Sequence, residues 1–177
     1  MKVYTGIGSR ETPRDILYIM QDFALELASR AWTLRSGCAP GADSAFEEGA
    51  FSAYFANSRR PKPELYLPWP RFEGRRKAVV SLEQPQPEAY SIAEQFHPAW
   101  TKCSPAARSL HARNVHQILG ADVTRPVLSR FVICWTFRGE GGGGTGQALR
   151  IAHHYNIPIF DLANQADYER IAAGLFA

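Results

Sequence analysis

The chain has 177 residues, 45% of them hydrophobic, and a formal net charge of +3 at pH 7. That is enough chain for one domain with a substantial core and too much apolar content for a disordered one. The mild positive charge admits an anionic ligand without implying a nucleic-acid platform. No run of 18 or more apolar residues exists, so no membrane span is expected, and the start MKVYTGIGSRETP lacks the apolar stretch of a signal peptide. Three widely spaced cysteines, Cys38, Cys103 and Cys134, fit reduced thiols in the cytoplasm better than a disulfide framework or a zinc site.

In chain order, residues 2–6 read as a first strand running into a glycine turn. Residues 13–30 form an amphipathic helix, because Ile16, Leu17, Ile19, Met20, Phe23, Leu27 and Ala28 recur at three- and four-residue spacing. Thr12 is the predicted cap, with Pro13 at the first helical position. Residues 32–36 read as a second strand, 37–41 as a loop and 42–55 as a second helix. A third strand covers 64–67 and stops at Pro68-Trp69-Pro70. Residues 70–90 read as an irregular excursion with clustered Arg71, Arg75, Arg76 and Lys77. Residues 91–120 look helical, interrupted near Pro98 and Pro105. The compact apolar run 131–135 is a fully buried central strand. A loop at 136–144 leads into a helix over 145–155, capped by Thr145, and then come a strand at 157–162 and a helix at 167–176.

This alternation predicts a single Rossmann-like α/β domain over residues 1–177. Its central sheet is mostly parallel with helices on both faces, and the irregular insertion falls around residues 70–125. Ligands in such a sheet bind beyond the carboxyl ends of the strands. Three glycine-bearing loops fall there: Gly6-Ile7-Gly8-Ser9-Arg10, Ser36 through Gly37, Gly41 and Ala42 to Asp43, and the run Gly141, Gly142, Gly143, Gly144 before Thr145. Glycine lets backbone amides approach a ligand closely, and a helix amino terminus adds unpaired N–H groups and partial positive charge, which suits a phosphate. Each loop also has a plainer reading, as a turn, a flexible linker or, at Asp43, a helix-start carboxylate. Glu11 stands where the third glycine of the dinucleotide fingerprint would be. Arg113, beside Asn114, either points a planar fork at a phosphate or is a surface arginine. Trp69, Trp100 and Trp135 either stack a base or belong to the core. His97, His111, His116, His153 and His154 show no metal-ligand spacing with carboxylates, so neither a metal nor another cofactor is expected. A serine-nucleophile elbow and a P-loop are both missing from the sequence.

These loops resemble the SLOG superfamily, which includes the Rossmann domain of the DNA-processing protein DprA, the YpsA-like proteins and the Lonely Guy (LOG) phosphoribohydrolases. Gly6 to Arg10 is similar to the Gly-(Ser/Thr)-Arg turn of DprA, and Ser36 to Asp43 resembles its Ser-Gly-x-Ala-x-Gly-x-Asp loop. Arg113-Asn114 resembles a later Arg-Asn pair, and Gly141 to Thr145 resembles the Gly-Gly-x-Gly-Thr of LOG enzymes. The likeness spans nearly the whole chain and is greatest to small phage and prophage DprA-like proteins. It implies a nucleotide-derived small-molecule partner, such as an ADP-ribose-like compound or a nucleoside monophosphate, and a homodimer. Gly8, Ser9, Arg10, Gly37, Gly41, Ala42, Asp43, Arg113, Asn114, Gly142, Gly143, Gly144 and Thr145 are the implied binding residues. Two departures keep other readings open. LOG enzymes carry a catalytic glutamate three residues after the threonine, where this chain has Ala148. A general acid/base contributes about 10²–10⁴-fold in rate, so N-glycoside hydrolysis needs another carboxylate, for which Glu47 and Glu48 are the candidates. DprA proteins generally carry more chain beyond this domain, which bears on the third reading, a single-stranded DNA binder that aids recombination.

Overall fold

A computed structural model describes residues 2–137 and 142–176, with side chains described as far as Gly174. Five strands form one parallel sheet: β1 (Val3–Gly6), β2 (Thr33–Ser36), β3 (Glu64–Leu65), β4 (Val132–Cys134) and β5 (Ile159–Asp161). Their spatial order is β3-β2-β1-β4-β5. Among the described residues, six α-helices accompany them: α1 (Arg14–Ser29), α2 (Ala42–Ala56), α3 (Pro87–Gln95), α4 (Pro105–Leu119), α5 (Gly143–His154) and α6 (Gln165–Phe176). This is the expected Rossmann-like α/β architecture.

Alternation along the strands divides the core between the two faces. Tyr4, Leu34 and Ile133 pack with Met20, Phe23 and Leu27 of α1 and Phe46 of α2. Val132 and Cys134, on the other side of β4, pack with Val115, Ile118 and Leu119 of α4 and Ile151 of α5. Helices α1, α2 and α6 therefore cover one face, and α3, α4 and α5 the other.

Several boundaries differ from the sequence reading for local reasons. Pro13 takes the cap place of α1, its carbonyl accepting from Leu17 N–H at 3.0 Å. Thr12 does not cap the helix, because its hydroxyl donates to the Ser9 carbonyl at 2.7 Å. Helix α5 starts two residues before Thr145, with Gly142 in the cap place. Strand β3 pairs with β2 only over 64–65, yet the extended chain runs on to a bridge between Tyr66 and Leu82. The edge beyond β3 is thus partly covered by the excursion. That excursion holds two short 3-10 turns, at Phe72–Gly74 and Lys77–Val79. The insertion also carries α4, whose last nine residues, 111–119, are all buried.

Helices α1 and α2 approach closely at Gly49. A Cβ there would lie 2.0 Å from the Gln21 carbonyl oxygen of α1. Gly174 in α6 has nothing within 4 Å of such an atom. Gly49→Ala should therefore lower the urea midpoint by the equivalent of about 1–3 kcal/mol through overpacking. Gly174→Ala should leave stability unchanged or raise it by up to about 1 kcal/mol, since alanine favours helix over glycine. Equal effects at the two sites would contradict the close α1–α2 crossing.

Candidate functional site

Strand order places the site. From β1 the chain crosses through α1 to β2 on one side, while β4 lies on β1's other side. The connections leaving β1 and β4 thus diverge, opening the switch-point crevice at which α/β sheets bind ligands. A cavity of about 850 Å³ lies there, within the usual range for small-molecule sites. Ile7, Gly8, Ser9, Arg10 and Glu11 line it from the loop after β1, and Trp135, Thr136 and Phe137 from the segment after β4. Ala39 and Asp43 enter from the loop after β2 and the start of α2, while α4 supplies Leu110, Arg113, Asn114 and Gln117. The start of α5 supplies Gly142, Gly143, Gly144 and Thr145, with Ala148 one turn further.

The loop after β1 is folded around the Ser9 carbonyl, which accepts from Thr12 N–H (3.4 Å), the Thr12 hydroxyl (2.7 Å) and Ala42 N–H (3.5 Å). That last bond ties the first loop to the start of α2. Gly41 makes the approach feasible. It adopts φ 88°, and a Cβ there would come within 2.9 Å of the Arg10 Cα and the Ser9 oxygen. On the far wall, Thr136 is fixed by Asp161 at the end of β5, which accepts from both its N–H (3.0 Å) and its hydroxyl.

Helix α5 opens on backbone. Gly146 N–H bonds to the Gly142 carbonyl at 2.9 Å, so the amides of residues 143–145 precede the first intrahelical bond. Gly143 takes φ 55°, and Gly144 O accepts from Asn114 Nδ2 at 3.0 Å. A helix amino terminus bare of side chains, facing a cavity, can hold an anion by its amides and dipole. Among the described residues, Arg113 Nε and Gln117 Nε2 are buried donors without a hydrogen-bond partner, and both residues line the cavity.

Not every candidate from the sequence reaches the cavity. Gly8, Ser9, Arg10, Asp43, Arg113, Asn114, Gly142, Gly143, Gly144 and Thr145 converge on it, whereas Gly141 lies outside the described residues. Gly37, Gly41 and Ala42 stand behind the lining. Gly37 leaves room for Arg113, whose Nη1 would be 1.6 Å from a Cβ at position 37. Ala42 is fully buried beneath Gly8. Arg113 is neither a surface residue nor an unengaged fork. It donates to the Gly37 carbonyl and pairs with Asp43 at 3.3 Å, both side chains being buried. Burial pushes the Asp43 carboxyl up, against the opposing pull of Arg113 and the Ala39 and Gly37 backbone.

Glu47 and Glu48 do not line this cavity, whereas Glu11 does. Glu48 is exposed on α2. Glu47 is buried, accepts from Ser36 Oγ (2.9 Å) and Cys38 N–H (3.0 Å), and pairs with Arg75 of the excursion. Burial pushes its carboxyl up to about 7, while Arg75 pulls it down. The sequence reading missed Glu11, Leu110, Gln117, Thr136 and Phe137 as lining residues. It left Trp135 open between core and stacking platform, and the structure makes Trp135 half-buried and cavity-lining. Phe137 is 59% exposed and meets Trp135 edge-on at 6.4 Å. Trp69 and Trp100 lie outside the lining.

No protein-family model and no curated protein sequence matches the chain. Solved structures do. The molybdenum cofactor (Moco) carrier protein of Chlamydomonas reinhardtii aligns over 98% of this chain and 86% of its own, with TM-score 0.52 and 16% identity. DNA processing protein A of Helicobacter pylori aligns over 98% of this chain and 72% of its own, with TM-score 0.52 and 17% identity. DprA of Streptococcus pneumoniae aligns over 98% of this chain and 56% of its own, with TM-score 0.50 and 16% identity. The chain has the Rossmann-type fold of these proteins, as its resemblance to the SLOG superfamily implies.

Asp43→Ala leaves the Arg113 charge buried without its partner, and should cost about 3–5 kcal/mol in urea unfolding. Adding Arg113→Met should recover most of that loss; a double variant as unstable as Asp43→Ala alone would mean that the pair itself is not responsible. For Glu47, the folded value of about 7 lies above its ordinary 4.5, so the folded state keeps a proton that the unfolded state releases in between. The contribution is complete below about 4.5 and is lost as pH rises through about 7. Stability of wild type relative to Glu47→Gln should therefore fall between pH 5 and pH 8, and a rise would show that the ionised pair with Arg75 governs instead.

Proposed function

We propose that this protein binds or senses a phosphate-bearing, nucleotide-derived small molecule of the ADP-ribose or nucleoside monophosphate type. The observation that carries the reading is the convergence of the bare amino terminus of α5 with Arg10 and the Gly8 loop on one switch-point cavity. In this reading the amides of residues 143–145 take the phosphate. Arg10, exposed at the loop after β1, adds charge, and Trp135 and Phe137 supply aromatic surface for a base. Asn114 fixes the glycine wall through Gly144, and Gln117 offers a donor to ribose or phosphate.

Binding without cleavage is the favoured outcome because of Ala148. It lines the cavity where LOG enzymes would have their glutamate, and an alanine moves no proton. Glu47 is occupied by three donors behind the second loop. Two of the structural neighbours are described by what they carry or bind, the molybdenum cofactor and single-stranded DNA; a ligand-binding role for this chain is in keeping with both.

The test is calorimetric titration with ADP-ribose and nucleoside monophosphates at two salt concentrations. Saturable binding, little changed by moderate salt, is expected for wild type. Gly144→Val should abolish it while leaving the unfolding midpoint near wild type. A Cβ at 144 would be 3.4 Å from Asn114 Nδ2, so a small side chain fits, but branched methyls occupy the anion's place. Chromatography of the titrated mixtures should show no free base. Rapid base release lost in Glu47→Gln or Glu48→Gln would overturn the binder reading in favour of an N-glycoside hydrolase. Single-stranded DNA binding with steep salt dependence, and no small-molecule binding, would favour the DNA reading.

A further inference from the structure

The connection between α3 and α4 holds a second group of functional side chains, none of which lines the cavity. His97 follows α3, Cys103 follows the 3-10 turn Trp100–Lys102, and His111 lies in α4. One ligand atom from each lies within 4.8 Å of the others. We propose that His97, Cys103 and His111 form a zinc site with a fourth position open to water or another ligand, independent of the function proposed for the cavity.

The distances suit the ion. Zinc bonds thiolate at about 2.3 Å and imidazole at about 2.1 Å, which makes the sulfur–nitrogen edge of a tetrahedron about 3.6 Å. Cys103 Sγ stands 3.7 Å from either ring nitrogen of His97, and His111 offers a ring nitrogen within 4.8 Å of both partners' ligand atoms. Two imidazoles and one thiolate are a borderline-soft set that favours zinc over magnesium or calcium.

His111 supplies an independent sign of a missing partner. The residue is 8% exposed, and its buried Nδ1 has no hydrogen-bond partner among the described residues. Neutral imidazole is the form that binds a metal. Binding releases the Cys103 thiol proton to solvent, and the thiolate offsets one of zinc's two charges. It also replaces two weak local contacts, the Ala99 N–H bond to His97 Nδ1 (3.2 Å) and the Cys103 thiol's contact with the Ala99 carbonyl (3.7 Å). All three ligands come from 15 residues broken by Pro98 and Pro105, so the metal would pin a connection that has few backbone bonds of its own.

Sequence spacing hides this site because one of its ligands is a thiol in a loop and no carboxylate takes part. The test uses the full chain, stripped with a chelator and titrated with cobalt(II). One cobalt per chain is expected, giving the visible absorption of a tetrahedral site and a thiolate-to-cobalt charge-transfer band, both erased by one equivalent of zinc. Cys103→Ala should lose the charge-transfer band, and His97→Ala or His111→Gln should weaken zinc binding by at least about 10-fold. In unmodified protein, zinc should also slow alkylation of Cys103, mapped by peptide mass spectrometry, so the outcome does not depend on whether a variant folds. A wild-type chain with no charge-transfer band, a band that survives Cys103→Ala, or alkylation indifferent to zinc would overturn the proposal.

Discussion

The buried pair between Arg113 and Asp43 is the interaction on which the rest of the site depends. It joins α4, which belongs to the insertion, to the first turn of α2, which belongs to the Rossmann core. Such a pair gains stability as its other donors and acceptors are engaged. Here the Gly37 carbonyl takes a second bond from Arg113 Nη1 and Ala39 N–H donates to Asp43 at 3.2 Å, while Arg113 Nε is left for a group in the cavity. Gly37 is a glycine because the guanidinium occupies the space a side chain would need. Two further buried groups repeat the device. Glu47 holds Arg75 of the excursion, and Arg35 of β2 bonds both Glu64 of β3 (2.7 Å) and the Val127 carbonyl beyond α4. The insertion is thus fastened to the sheet by charge-assisted bonds as well as by apolar packing.

With α4 so fixed, the cavity has walls from both halves of the fold. The β1 and β4 connections diverge around it, α4 closes one side, and α5 presents its amino terminus. Asn114 of α4 spans the last two, donating to Gly144 O and to Gln147 of α5 at 3.2 Å. A polar frame beside the glycine wall favours backbone recognition of an anion, since groups held in place before the ligand arrives cost less to order.

Much of this was legible in the residues. Three- and four-residue apolar spacing located α1, and the loop from Ser36 to Asp43 was recognisable because its residues have separate duties. Ser36 donates to Glu47, Gly37 admits Arg113, Gly41 adopts positive φ, and Asp43 pairs with Arg113. The glycine run before Thr145 marked the start of α5 to within two residues. What sequence could not show was long-range polar burial. His111, Arg113, Asn114, His116 and Gln117 suggest a solvated helix face, yet all five are buried in α4. Glu47 looked like a candidate acid because its partner Arg75 lies 28 residues away. Thr12 looked like a cap because the Ser9 carbonyl's claim on its hydroxyl depends on how the first loop turns. Trp135 carried two readings because a residue just past a buried strand can face either the core or a crevice.

The central claim is that the cavity holds a phosphate-bearing, nucleotide-derived molecule at the amino terminus of α5. Mass spectrometry of small molecules released from freshly purified, denatured protein addresses it most directly. The account predicts a near-stoichiometric compound containing phosphate and a nucleoside fragment, released from wild type and missing from Gly144→Val purified in parallel. Release of a phosphate-free compound in that amount, or of the same compound in equal amount from Gly144→Val, would contradict it.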